Sequence, residues 1–325
     1  MNVFIIPSWY PTNENPVVGI FIKEQALSIS NQFHAINIGI SLWGSNRHDL
    51  LIQKKDHVKN LFKALNFPAQ SESELSTNCV EYFTPAFTWT RSILQGNMER
   101  IIESNITHMR RFQARFGTVN LIHAHVGHPA GYIAAELSRK FNIPYIITEH
   151  MSPFPMADYK LNNGNLHPLL KQAYSMSKAN IGVSRFQLKQ MGRFGLSNLE
   201  LIPNMVNGHL FTVKEIQKTK SFNFLSIGRL EDQKGFDLLL KSLNQLKKIG
   251  YSEVKLRIVG TGKLKNRLLK LCNKLHLDND VIWLGELNRN DVIREMQSSN
   301  AFVLASRHES FGLVLAEAMA CGKPI

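Results

Sequence analysis

Cysteine is scarce in this chain: three in 325 residues, Cys79, Cys272 and Cys321, far apart and in no Cys-x-x-Cys arrangement. That excludes a disulfide framework and a cysteine zinc site, and it suits a reducing, cytoplasmic setting. Long apolar runs are missing too. None approaches the roughly 20 residues that span a bilayer, and the chain opens on Val3-Phe4-Ile5-Ile6 without a basic leader, so any membrane contact is expected to be peripheral. Acidic residues fall short of basic ones, 25 against 38. The basic excess is spread along the chain, which argues against nucleic acid and for small acidic partners such as nucleoside diphosphates, or for anionic lipid head groups. A complete Gly-x-Gly-x-x-Gly is absent as well: Gly260-Thr261-Gly262 has no third glycine, which speaks against a dinucleotide dehydrogenase.

What is present is alternation. Short apolar runs predict strands at 1–6, 35–40, 79–83, 120–124, 144–148, 179–183 and 199–202, then at 222–227, 254–259, 281–284 and 301–305. Helical periodicity lies between them, most clearly over 91–116, 166–177, 236–247 and 313–320. Residues 43–78 are charged and irregular and yield little assignment. Length and a hydrophobic content of 44% fit two α/β domains. The polar segment 208–221, with Lys214, Glu215, Lys218 and Lys220, reads as a linker between an N-terminal domain, 1–207, and a C-terminal domain, 222–325.

The carboxyl ends of strands are where open α/β sheets bind ligands, and several chemically informative residues fall there. The last strand runs into a turn holding Glu309, Phe311 and Gly312 and then a helix opening at Leu313. Free N–H groups and the helix dipole at that point favour an anion such as phosphate. Glu309 and Glu317 are carboxylates, which accept hydrogen bonds from sugar hydroxyls. Arg229 and Lys234 follow Gly228 at the end of another strand and are placed to neutralise a diphosphate. Gly19, before the first helix, lets backbone approach a ligand. His125 and His150 close two neighbouring strands. Each has a plain alternative: exposed glutamates on a solvated face, surface cations, a tight turn, or a histidine satisfied by local backbone. His123-x-His125 with His128 also permits a divalent metal, as in amidohydrolase barrels, but it falls in mid-domain here. Asp278-Asn279-Asp280 precedes its strand and reads as a turn.

Glu309-x7-Glu317, with Phe311-Gly312 inside it and Gly322-Lys323-Pro324 behind, resembles the signature of the retaining glycosyltransferases of family 4, also called group 1. Gly228-Arg229-Leu230 with Lys234-Gly235 closely resembles that family's Gly-Arg-Leu…Lys-Gly motif. Ser8-Trp9-Tyr10-Pro11 with Gly19-Ile20-Phe21 resembles its first loop, and Thr148-Glu149-His150 is similar to the segment whose histidine faces the donor sugar. Ile202-Pro203-Asn204-Met205-Val206-Asn207 resembles its Ile-Pro-Asn-Gly-Val-Asp crossing, with Met205 and Asn207 departing from it.

The resemblance implies the α/β GT-B fold: two Rossmann-like, doubly wound domains facing a cleft. It implies a nucleoside-diphosphate-sugar donor held by Arg229 and Lys234, with Gly19, Gly228, Gly260, Phe311, Gly312 and Leu313 about its phosphates and base. Glu309 would meet the sugar hydroxyls, Glu317 the ribose and His150 the reacting sugar, with His125 on the acceptor side. No metal and no cofactor are expected. The acceptor would be a glycan or lipid-linked saccharide of cell-surface polysaccharide synthesis, met at the inner face of the plasma membrane. The basic helix 91–116, with Arg91, Arg100, Arg110, Arg111 and Arg115, is a candidate for contact with an anionic membrane surface. In the family a further strand and closing helices follow the Gly-Lys-Pro, so the C-terminal domain reads as incomplete at Ile325. A non-catalytic nucleotide-sugar-binding fragment and a nucleotide-sugar epimerase of the same architecture are the alternatives.

Overall fold

The computed structural model describes residues 1–13, 15–44, 50, 70–89, 94–215 and 220–325. Arg91 of the expected basic helix, 216–219 of the expected linker and most of the unassigned 43–78 lie outside the described residues. The chain forms two compact units, Met1–Pro203 and Asn204–Ile325.

In the first unit the strands are β1 (Asn2–Pro7), β2 (Asn37–Leu42), β3 (Ser71–Ser76), β4 (Cys79–Phe83), β5 (Leu121–His125), β6 (Tyr145–Glu149), β7 (Ala179–Gly182) and β8 (Leu199–Leu201). They make one sheet in the order β3-β4-β2-β1-β5-β6-β7-β8, parallel except for β3, which runs antiparallel on β4 at the edge. Phe4, Ile5 and Ile6 are all buried, as a strand covered on both faces requires. Helices α1 (Ile20–Gln32), α2 (Leu94–Phe116), α3 (Tyr132–Phe141), α4 (Pro168–Ser175) and α5 (Arg185–Arg193) connect the strands. Helix α5 starts at Ser184, whose Oγ accepts from Gln187 N–H, while Gln187 Oε1 accepts from Val183 N–H. Two backbone donors of the helix entry are thereby satisfied, close to the pattern of a capping box.

Helix α2 carries the expected arginines, but its apolar face is not available to a lipid surface. Met98, Ile101, Met109 and Phe112 recur at helical spacing and are buried in the core of the unit. On its flank Arg111 pairs with Glu72 at 2.6 Å and Arg115 with Glu74 at 2.7 Å, both partners on β3.

The second unit has strands β9 (Phe222–Ile227), β10 (Val254–Val259), β11 (Val281–Gly285) and β12 (Ala301–Phe302) in the order β11-β10-β9-β12, all parallel. Helices α6 (Phe236–Lys248), α7 (Lys265–Lys274), α8 (Arg289–Ser298) and α9 (Leu313–Ala320) cover it. One core lies under α6 and α7 around Leu240 and Ile258; another lies under α8 and α9 around Leu225, Met296 and Phe302. Phe211, from the segment read as a linker, is buried in that second core, and Gln297 Nε2 donates to Thr212 O at 3.1 Å. Phe211 and Thr212 of the segment are thus attached to the second unit, while most of its remaining described residues are exposed. Asp280, from the Asp-x-Asp turn, accepts from Lys247 and Lys255 Nζ, each at 2.8 Å, at the amino end of β11.

Candidate active site

In each unit the strand order reverses once, between β1 and β5 in the first and between β9 and β12 in the second. Connections there leave to opposite faces, and a crevice opens at the carboxyl ends of the two strands. The residues singled out in the sequence lie on the strand ends, loops and helix starts at or beside these two reversals, with Glu317 within α9.

In the second unit, Gly228 follows β9 and the stem of Lys234 lies over it; a Cβ built on Gly228 would sit 3.4 Å from Lys234 Cγ and Cδ. The Lys234 ammonium then reaches Glu309 Oε1 at 2.5 Å, with the side chains only 20% and 24% exposed. A cation from the β9 loop and a carboxylate from the β12 loop are therefore brought together at the reversal. The same loops are joined by Arg307, whose N–H donates to Gln233 O at 2.7 Å and whose guanidinium donates to both Asp237 carboxylate oxygens, at 3.1 and 3.0 Å. Gln233 Nε2 also donates to His308 O, at 2.8 Å. Arg229 differs from Lys234: it is 72% exposed, 3.7 Å from Glu231, and remains reachable by an incoming anion.

Gly260 has a packing reason independent of any ligand. Its φ is +134°, and a Cβ there would fall 2.0 Å from Gly228 O. Only glycine lets the β10 loop close on the β9 loop. Gly312 enters α9 in the left-handed region, and no side chain caps that helix. The N–H groups of its first turn, beginning at Leu313, are left with the positive dipole end beside Phe311.

Glu317 is 2% exposed, and its Oε1 accepts from Arg289 Nη1 at 2.7 Å. The Arg289 guanidinium lies 4.7 Å from the centre of the Phe211 ring. The carboxylate expected to meet ribose is thus already half of an ion pair with α8. Nothing in the sequence distinguishes Arg289 from other arginines in a first helical turn, and it was not singled out.

In the first unit, Ser8 N–H donates to His125 O and Ala130 N–H donates to Ser8 Oγ, each at 3.1 Å, tying the β1 and β5 loops. Gly19, at φ +69°, packs on the backbone of the β1 loop: a Cβ there would meet Trp9 O at 2.4 Å. His125 and His150 are brought together. Their rings stack at 5.4 Å and 12°, and His125 Nδ1 and His150 Nε2 share a hydrogen bond of 3.1 Å. His123 Nε2 and Thr148 Oγ1 are 2.8 Å apart, so two of the nitrogens considered for a metal are engaged within the protein. Among the described residues no group of three His, Cys, Asp or Glu is arranged to hold a metal ion.

Burial in a low-dielectric interior holds these histidines neutral. It pushes His150 down to about 3 and His123 to about 4, and it holds His125 well below the usual histidine range, with His123 and His150 adding repulsion.

Glu149, beside His150 and not singled out in the sequence, is fully buried. One carboxylate oxygen accepts from the N–H groups of His150 and Met151, each at 2.6 Å; the other accepts from Gly127 N–H at 3.0 Å and from Tyr174 OH. Burial raises its carboxyl above the usual range, and the donors act against that rise. Glu149 thereby fixes the backbone that carries His150.

Comparison with known proteins agrees with this geometry. The model of Glycosyltransferase Family 4 matches residues 88–208 and that of Glycosyl transferases group 1 matches residues 211–325. An uncharacterized glycosyltransferase of Methanocaldococcus jannaschii is 27% identical over 286 residues, 83% of this chain and 73% of the relative. The N-acetylgalactosamine-N,N'-diacetylbacillosaminyl-diphospho-undecaprenol 4-alpha-N-acetylgalactosaminyltransferase of Campylobacter jejuni is 31% identical over 171 residues, 52% of this chain and 40% of that enzyme. Among solved structures, sucrose-phosphate synthase of Thermosynechococcus elongatus superposes with a TM-score of 0.68 at 17% identity, over 100% of this chain and 80% of that one. Anabaena HepE, crystallised with UDP and glucose, gives 0.64 at 16% identity, over 100% and 79%.

Proposed function

The chain belongs to the group 1, family 4 glycosyltransferases and has their GT-B fold, and from that premise we propose that it transfers a sugar, with retention of anomeric configuration, from a nucleoside-diphosphate sugar to a hydroxyl of a glycan or lipid-linked saccharide. The observation that supports this most is the meeting of Lys234 and Glu309 at the reversal of the second sheet, beside the uncapped end of α9. One loop pair there offers cations and N–H donors for a diphosphate together with a carboxylate for sugar hydroxyls. The UDP and glucose bound to the Anabaena protein and the diphospho-undecaprenol in the Campylobacter enzyme's name support the donor and acceptor classes.

In this reading the acceptor oxygen bonds to the anomeric carbon as the bond from that carbon to the phosphate oxygen breaks. The acceptor proton passes to the departing phosphate oxygen on the same face. Negative charge grows on the diphosphate, where Arg229, Lys234 and the α9 dipole stabilise it more in the transition state than before. Glu309 takes hydrogen bonds from the sugar and is oriented for them by Lys234. Glu317, held by Arg289, is assigned to the ribose. His150, held neutral, hydrogen-bonds the transferred sugar without adding a charge. No step is assigned to a metal or cofactor. Helices long and apolar enough to cross a membrane are absent among the described residues, and acceptor contact at a membrane surface is part of the proposal only.

The test is transfer of radiolabelled sugar by the pure full chain from UDP-, GDP- and ADP-linked donors to lipid-linked saccharides, with the anomeric configuration of the product read by NMR. An inverted product contradicts retention. Tight nucleotide binding without transfer identifies a non-catalytic module instead, and donor isomerised without acceptor identifies an epimerase.

A further inference from the structure

In a strand, residues two apart share a face, and along β5 and β6 that spacing repeats one contact twice. His123 stands in register with Ile146, and His125 with Thr148. In both cases the histidine side chain reaches the residue two positions further along the neighbouring segment. His123 Nε2 lies 2.8 Å from Thr148 Oγ1, and His125 Nδ1 lies 3.1 Å from His150 Nε2. The second of these contacts joins two imidazoles whose planes are 12° from parallel.

Both rings are buried, His125 at 1% and His150 at 8% exposure, and both are held neutral. A neutral imidazole has one N–H and one bare nitrogen, so a single proton lies between the two rings. The outer nitrogens decide which ring owns it. His125 Nε2 is sealed from solvent and has no hydrogen-bond partner among the described residues. Were it protonated, an N–H would be buried without an acceptor, which is rarer in folded proteins than a buried acceptor without a donor. The His125 proton therefore sits on Nδ1 and is donated to His150 Nε2. With Nε2 accepting, His150 carries its own proton on Nδ1. That nitrogen makes no hydrogen bond among the described residues and is the one left for a ligand.

We propose that His125 is a positioning residue that sets the tautomer of His150, so that His150 meets the transferred sugar with an Nδ1–H donor. This rests on the transferase reading and deepens it in two ways. His150 recognises a sugar oxygen that accepts a hydrogen bond, such as that of a hydroxyl. It also has no free lone pair with which to take the acceptor's proton, because His125 occupies its only basic nitrogen, so it is not the general base. His125 acts through His150 and touches no substrate.

The full chain carrying ring-¹⁵N histidine, without substrate and near neutral pH, is examined by long-range ¹H–¹⁵N correlation, which distinguishes Nδ1–H from Nε2–H imidazoles. Signals are assigned by their loss in His150→Gln and His125→Asn. Both residues are expected as Nδ1–H. His125→Phe keeps a flat ring and removes the donor, so His150 should move to an Nε2–H or mixed form while kcat/KM for transfer falls about 10-fold. His125→Asn, whose amide N–H stands in for Nδ1–H, should return His150 to the Nδ1–H form and recover most of the loss. If His125→Phe does not fold, the native spectrum and His125→Asn decide. Native His150 protonated on Nε2, an unchanged tautomer in folded His125→Phe, a changed tautomer without loss of rate, or equal behaviour of the Phe and Asn variants overturns the proposal. The spectra need no substrate, which separates the two failures. Nε2–H on His150 in a protein that transfers sugar removes only this inference, whereas the expected tautomers in a protein that transfers none remove the transferase reading.

Discussion

Lowering the pH from 7 to 5.5 should weaken the first unit through its buried histidines. His108, His123, His125 and His150 all lie in that unit, and burial holds them neutral, at about 3 for His108 and His150, about 4 for His123 and well below the ordinary range for His125. In the unfolded chain each titrates near 6.5. Below that value the unfolded state takes up protons that the folded state refuses, so the stability present above pH 6.5 is lost as the pH falls toward the folded values. Over this interval the loss is a little over ~1 kcal/mol for each histidine. Glu149, raised by burial, acts with the opposite sign and offsets part of the loss from the four histidines. Against a typical domain stability of ~5–15 kcal/mol the histidine loss is a large share. Urea unfolding of a Trp283→Phe variant, whose remaining tryptophans all report on the first unit, reads it directly. The midpoint should fall steadily between pH 7 and 5.5, and His108→Gln should remove about a quarter of the histidine contribution. A midpoint that stays constant or rises refutes the reasoning, as does a native imidazole of His108, His123, His125 or His150 titrating near 6.5.

Three substitutions test particular contacts. Glu149→Gln turns an amide NH2, a donor, toward two donors, Gly127 N–H and Tyr174 OH or the His150 and Met151 N–H groups, and should cost the first unit roughly 2–5 kcal/mol by urea unfolding; a change under about 1 kcal/mol contradicts the assignment. Glu317→Ala leaves the three-quarters-buried Arg289 without its carboxylate and should destabilise the second unit by about 1–3 kcal/mol, with Glu317→Gln costing less. Equal losses for the two would mean that packing matters there and charge does not. Gly260→Ala meets Gly228 O at 2.0 Å and a left-handed φ, so it should cost at least roughly 1–3 kcal/mol and disturb nucleotide binding together with stability. Unchanged unfolding would show that the loops are not pressed together at that point.

Much of the fold was legible because the parallel strands are buried on both faces and read as uninterrupted apolar runs: 79–83, 222–227 and 254–259 coincide with β4, β9 and β10. Strand β3, with the sequence Ser-Glu-Ser-Glu-Leu-Ser, was invisible for the converse reason. It is an exposed edge strand held by its pairing with β4 and by ion pairs to α2, and none of these is local in sequence. Helices α5, α7 and α8 are amphipathic with polar composition and were not assigned. At the candidate site, the loops after β9 and β12 could be named from their residue types, since glycine, cations and carboxylates at strand ends carry their own chemistry. Their partners could not. The Lys234–Glu309 contact joins residues 75 apart, Arg289 meets Glu317 across 28, and Glu149 gathers donors from three separate segments. Such pairings are set by which strands lie side by side, and the topology must be in hand before they can be seen. Gly19 and Gly260 show the same limit: Gly19 was read as making room for a ligand and Gly260 was placed about the donor by resemblance, and each also makes room for another loop.

Thermal unfolding of the full chain with UDP, GDP and ADP, run beside Lys234→Ala, tests the transferase reading most directly. A nucleotide at 100 times its dissociation constant adds about 2.7 kcal/mol to stability and raises the midpoint accordingly. Lys234 is only 20% exposed and paired with Glu309, so its replacement also lowers the ligand-free midpoint, and the nucleotide shift is read within each protein; loss of a charge-assisted contact weakens nucleotide affinity about 10–100-fold. The account is supported if one nucleotide raises the wild-type midpoint and the shift shrinks in Lys234→Ala. It is contradicted if no nucleotide shifts a cooperative wild-type transition, or if the variant responds as the wild type does.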